Sequence, residues 1–253
     1  MSDVQWVYGL HACQSALQNQ ADRVRELVLL KGRQDKRIQA VLDEARAAGI
    51  KFRWLERDAF ERLVHQQQLG DARHQGVLVQ MLAAPVLDEG GLEQLLDGLN
   101  KPALLLVLDG VTDPHNIGAC LRSADAAGAD AVIVPKDKSA SLTPTAVKIA
   151  SGAADTVPFV VVTNLARTLE QLKKRGIWIQ GAAGEATASI YQSDFAAPTA
   201  LVLGAEGTGL RRLTRDTCDG LFMIPMAGQV SSLNVSVAAG ISLFEAVRQR
   251  LAR

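Results

Sequence analysis

Apolar residues recur along this chain in two alternating rhythms. Over residues 4–82, helical spacing appears at His11–Gln18, Arg37–Ala48 and Asp58–His65, while Arg25–Leu30, Ile50–Leu55 and Gly76–Met81 read as strands. Gly49 marks the end of the second helix, and Asp58 stands where it can cap the third. The pattern predicts a small α/β domain over residues 1–82. Between 83 and 100, Pro85, Gly90 and Gly91 interrupt the periodicity, and Asp88, Glu89, Glu93 and Asp97 make the stretch acidic. This predicts a linker with a short helix and a domain boundary.

From 101 to 253 the pattern is βα throughout. Strand-like runs fall at 103–109, 131–134, 158–162, 177–180, 200–203 and 221–224, and helix-like segments at 116–127, 144–153, 164–175, 207–218 and 232–250. Strands this apolar are expected to be buried on both faces of a mostly parallel sheet. Such sheets bind ligands beyond the carboxyl ends of their strands.

Composition narrows the classes. With 48% hydrophobic residues in 253, the chain is globular, and its net charge of zero removes any overall basic field as an argument for nucleic-acid binding. The apolar run Ala103–Leu108 is far shorter than the roughly 20 residues that span a bilayer, and the start Met-Ser-Asp-Val-Gln lacks a signal-peptide pattern. Cys13, Cys120 and Cys218 have no metal-ligand spacing, so no metal and no membrane partner is expected, and a reduced, cytoplasmic chain fits best. Charge is uneven locally. Residues 1–82 hold 12 Lys/Arg against 10 Asp/Glu, with Lys31, Arg33, Lys36 and Arg37 clustered and Arg73 and His74 in the polar stretch 65–76. These six are candidate RNA contacts; an ordinary solvated turn is the competing reading.

Three polar, glycine-containing loops follow three strands of the second domain. In the first, Asp113-Pro114 begins a turn, Asn116 is a candidate helix cap, Gly118 permits a close backbone approach, and Arg122 lies somewhat under two turns further on. The second, Leu203-Gly-Ala-Glu-Gly-Thr-Gly-Leu210, holds Glu206 among glycines. Its G-x-x-G-x-G order matches neither the dinucleotide fingerprint nor a P-loop, which argues against nucleotide-dependent oxidoreductase or kinase chemistry. The third, Ile224 to Gly240, joins a strand to a helix through Gly228, with Ser231 or Ser232 as candidate cap and Asn234 beside them.

Asp113-Pro-His-Asn-Ile-Gly-Ala-Cys-Leu-Arg122, Leu203-Gly-Ala-Glu-Gly-Thr-Gly-Leu210 and Ile224-Pro-Met-Ala-Gly-Gln-Val-Ser-Ser-Leu-Asn-Val-Ser236 together resemble motifs one, two and three of the SpoU (TrmH-type) 2′-O-ribose RNA methyltransferases. Residues 4–82 resemble that family's L30e-like RNA-binding domain. The resemblance implies an α/β SPOUT catalytic domain over 101–253, knotted as a trefoil at its carboxyl end, and a homodimer. It implies S-adenosylmethionine held at Gly204, Ile224 and Leu233, with Asn116, Arg122, Glu206, Ser232 and Asn234 around the reacting centre. Within the family the likeness is to members that methylate a guanosine in the P loop of 23S ribosomal RNA or its large-subunit precursor. A transfer RNA or another ribosomal site as target, and a non-catalytic RNA-binding or ribosome-assembly factor, stay open at this point.

Overall fold

The structure, a computed structural model, describes residues 4–32, 35–67, 69 and 74–252. The chain divides into two compact units, 1–83 and 84–253.

The first unit runs β1 (Val4–Tyr8), α1 (Leu10–Asn19), β2 (Val24–Leu30), α2 (Lys36–Ala47), β3 (Phe52–Leu55), α3 (Arg57–Gln66) and β4 (Val77–Leu82). Its sheet has the order β1-β4-β2-β3, with β4 antiparallel to both neighbours and β3 parallel to β2. Alternation along the strands sorts the side chains between two faces. Leu27, Leu29, Val77 and Val79 pack under α1 and α2, while Val28 and Leu78 meet Phe60 and Val64 of α3. Asp35 caps α2 by accepting from the backbone N–H groups of Arg37 and Ile38. Asp58 does not cap α3; Glu56 holds that position without a side-chain bond. Strand β1 has no counterpart in the sequence reading, because its mostly half-exposed residues lack an apolar run.

The second unit comprises α4 (Glu89–Asp97), β5 (Leu104–Asp109), α5 (Pro114–Ala126), β6 (Ala131–Pro135), α6 (Pro144–Ala150), α7 (Ala153–Thr156), β7 (Phe159–Val162), α8 (Leu165–Lys174), β8 (Trp178–Ala182), β9 (Ala188–Ser189), β10 (Thr199–Gly204), α9 (Arg212–Thr217), β11 (Gly220–Met223) and α10 (Val235–Leu251). All seven strands are parallel, in the order β7-β6-β5-β10-β8-β11-β9. Leu104, Leu106 and Leu108 point into a core beneath α5, α6, α7 and α10, and Leu105 and Val107 point into a second core beneath α4 and α8. Burial on both faces is why these strands read as unbroken apolar runs.

Three expectations need correction. The stretch 84–100 is part of the second unit, because Leu87 pairs with the backbone at Phe159 and Val161 and Leu92 of α4 is buried. The helix expected over 144–153 breaks where Ser151 and Gly152 turn left-handed, at φ 52° and 96°. The helix expected over 207–218 shrinks to α9, since residues 205–209 close an antiparallel bridge instead.

Gly118 is where α5 meets α6. A methyl group there would lie 2.5 Å from the Ala146 carbonyl oxygen and 2.7 Å from Ile149 Cβ, so nothing larger than hydrogen fits. Gly118→Ala is expected to destabilise the protein by about 1–3 kcal/mol through overpacking, seen as a lower urea midpoint with an unchanged slope.

Candidate active site

A cleft of about 670 Å³ opens at the carboxyl ends of β8, β10 and β11. Its wall combines apolar Leu203, Phe222, Ile224 and Leu233 with Gly204, Glu206, Ser231 and Ser232. The loop after β10 is folded back on itself: a Cβ at Gly204 would sit 2.1 Å from the Gly209 carbonyl carbon, and Gly209 N–H donates to the Ala205 carbonyl at 2.9 Å. Only glycine permits so close a return.

The far end of this loop is tied to β5. Asp109 is fully buried at the strand's end, and its carboxylate accepts from the Arg211 backbone N–H at 2.9 Å and from the Arg211 guanidinium at 2.5 Å. A carboxylate so buried needs charged partners, and the arginine after the glycine loop supplies them.

Glu206 is fixed by donors from two other loops. Asn234 Nδ2 donates to Glu206 Oε1 at 2.6 Å and to Asn116 Oδ1 at 2.9 Å, while Asn116 Nδ2 and the Val235 N–H approach the same carboxylate oxygen at 3.4 Å. Asn234 is also the cap of α10, its Oδ1 accepting from the Ser236 N–H at 2.9 Å and the Ser236 hydroxyl at 2.6 Å. One amide therefore both starts a helix and holds the carboxylate.

These contacts reassign three local roles. Asp113, not Asn116, caps α5 by accepting from the His115 N–H at 2.9 Å, which leaves the Asn116 side chain available to the cluster. Asn234, not Ser231 or Ser232, caps α10. Gly228 is not in the left-handed region.

Of the nominated residues, Gly204, Ile224, Leu233, Glu206 and Ser232 line the cleft, and Asn116 and Asn234 join them through Glu206. Arg122 is not brought in. It is exposed on α5, with no hydrogen bond or ion pair among the described residues. In the first unit, Lys31 pairs with Glu56 at 2.5 Å, and that hydrogen bond holds the ammonium pKa above its ordinary value. Lys36 and Arg37 are exposed in the first turn of α2. His74 packs its ring on Phe60 at 5.1 Å, and its Nδ1 accepts from the Gly76 N–H. Arg33 and Arg73 lie outside the described residues.

Sequence reasoning missed Asp109 and Arg211, and also the Arg215–Glu185 ion pair on the cleft wall. The one available signal was an acid ending an apolar run at Asp109. Burial pushes the thiols of Cys120 and Cys218 up to about 12 and raises Cys13 further, so none is a ready thiolate near neutral pH.

The sequence profile of the SpoU rRNA Methylase family matches residues 103–244, more than half of the chain. The chain belongs to the SpoU rRNA methylase family. Residues 6–84 match the domain described as RNA 2′-O ribose methyltransferase substrate binding. Among SpoU relatives, the Vibrio vulnificus protein named 23S rRNA (guanosine-2′-O-)-methyltransferase RlmB is 54% identical, covering 98% of this chain and 98% of its own. The Haemophilus influenzae protein of that name is 56% identical over 97% of this chain and 98% of its own. The SpoU methyltransferase AviRb from Streptomyces viridochromogenes, solved with the cofactor AdoMet, superposes with a TM-score of 0.76 at 28% identity, covering 99% and 92% of the two chains.

The Asp109–Arg211 latch in this SpoU chain yields a prediction. Arg211→Met strips a buried carboxylate of its guanidinium and is expected to destabilise by about 2–4 kcal/mol, read by urea unfolding. Asp109→Asn is expected to lose less, because its amide oxygen still accepts from the Arg211 N–H.

Proposed function

We propose that the protein transfers the methyl group of S-adenosylmethionine to the ribose 2′-oxygen of a guanosine in 23S ribosomal RNA. The observation that carries this reading is the Asn116–Glu206–Asn234 cluster at the cleft, assembled from all three SpoU motifs. The target is supported by relatives of that activity at 54% and 56% identity over nearly the whole chain.

The residues present suit the methyl donor. A cleft of about 670 Å³ lies within the range of roughly 300–1,000 Å³ usual for such ligands, and it pairs an apolar wall with hydroxyls and a carboxylate. Gly204, Ile224 and Leu233 would hold the donor, which when bound supplies a methyl group activated by its sulfonium. Glu206, fixed by two amides, orients polar groups at the lip, and Ser232 and Asn234 position the nucleotide. An alkoxide attacking a cation loses charge on reaction, so exclusion of water by the apolar wall helps directly.

Arg122 stabilises the developing alkoxide or holds the adjacent phosphate. A guanidinium stays charged in proteins, so the arginine acts through its charge and its planar fork of donors, which lysine lacks, and not by accepting a proton. Its exposure on α5 fits a site completed by a second copy of the chain. Val237 and Phe244, seven residues apart on α10 and about half exposed, offer that copy an apolar face, and α10 packs beside α5. The homodimer belongs to this proposal, as does a trefoil knot at the carboxyl end. In the first unit, Lys36 and Arg37 stand at the positive end of the α2 dipole, an unfavourable placement that RNA phosphates would relieve.

Labelled S-adenosylmethionine with purified large-subunit ribosomal RNA is expected to mark one guanosine 2′-oxygen. Label in transfer RNA alone would replace the substrate. Arg122→Ala and Arg122→Lys are expected to slow single-turnover methylation roughly 100-fold or more, a loss greater than any change in RNA affinity. A near-normal rate in Arg122→Lys would remove the assigned role. Phe244→Glu is expected to convert a dimer to a monomer in sedimentation.

A further inference from the structure

The loop after β6, Lys136-Asp-Lys-Ser139, is absorbed by none of the three motifs, yet it borders the same end of the sheet. Strand β6 lies directly beside β5. Gly110, just past β5, marks how near the loop comes to the glycine loop of Glu206. A methyl group at Gly110 would sit 3.8 Å from the Lys138 carbonyl oxygen and 3.9 Å from Ala205 Cβ. Ala205 is the residue before Glu206.

This loop is pinned in place. The Lys136 N–H donates to the Val162 carbonyl at 2.8 Å, the Ser139 hydroxyl to the Val111 carbonyl at 3.2 Å, and the Ala140 N–H to the same carbonyl at 2.9 Å. Lys138 takes φ 58°, a left-handed conformation that disfavours a side chain. Both lysines are exposed, and neither forms an ion pair among the described residues; Asp137 is the one carboxylate within the loop. Two cations are thus carried on an anchored backbone whose Lys138 carbonyl lies near the glycine loop.

We propose that Lys136 and Lys138 form a basic rim that grips phosphodiester groups of the RNA strand carrying the target ribose. The proposal rests on the methyltransferase reading. It deepens that reading by placing substrate contacts on the catalytic unit itself. Strand backbone recognised this way contributes affinity that depends on salt and adds nothing to the chemical step.

The test is the full-length Lys136→Ala/Lys138→Gly double variant, in which glycine keeps the left-handed backbone without its charge. With a 23S ribosomal RNA fragment, its KM for RNA is expected to rise roughly tenfold, and the slope of log affinity against log salt to shrink by about 1.4, as for two lost single-strand phosphate contacts. The single-turnover rate at saturating RNA and the affinity for S-adenosylmethionine are expected to stay as in the wild type. Restoring charge with Lys138→Arg in the Lys136→Ala background is expected to recover part of the slope. A variant that methylates with wild-type KM and salt slope overturns the rim alone, as does one that loses maximal rate with KM unchanged. A wild-type chain that neither binds nor methylates RNA overturns the methyltransferase reading and the rim with it.

Discussion

A single carboxylate sets the demands that the catalytic unit meets. Glu206 stands just past a strand end, and its exposed carboxylate is fixed in one place because donors reach it from elsewhere. Those donors come from the first turn of α5 and the cap of α10, 90 and 28 residues away in sequence. Each has to be released from another duty or made to share one. Asp113 caps α5, so the Asn116 amide is free, whereas Asn234 divides its oxygen and nitrogen between helix and carboxylate. The tight glycine return and the Arg211 anchor then keep the loop from drifting off these donors.

That arrangement needs a stiff base, and the parallel sheet provides it. Layers of apolar side chains on both faces lock the strands in register, so the loops at their carboxyl ends inherit fixed starting points. Electrostatics is local for the same reason. The chain has no net charge, so its cations act through local groups whose positions the backbone decides.

Much of this was legible in the residues. The continuous apolar runs at Leu104–Leu108 and Ala131–Val134 could only be buried strands, and the helices between them followed from spacing. The loops carrying Asn116, Glu206 and Asn234 stood out by composition, but how their side chains divided the work did not. Asp113 and Asn116 are both good caps, and choosing between them needs the backbone geometry. Arg211 and Asp109 lie 102 residues apart, and no local pattern links them. β1 and β9 escaped notice because short, partly exposed edge strands have no apolar run to announce them.

Strand order has a bearing on how the molecule comes into being. β10 lies between β5 and β8, although both precede it in the chain, so those strands have no shared partner until Thr199–Gly204 is in place. During synthesis the half-built sheet presents two open, strongly apolar edges at once. The strand that closes this gap is also the one that delivers Glu206. Closing the centre of the sheet and positioning the glycine loop of the cleft are therefore one event, and the donors that hold Glu206 follow only with α10.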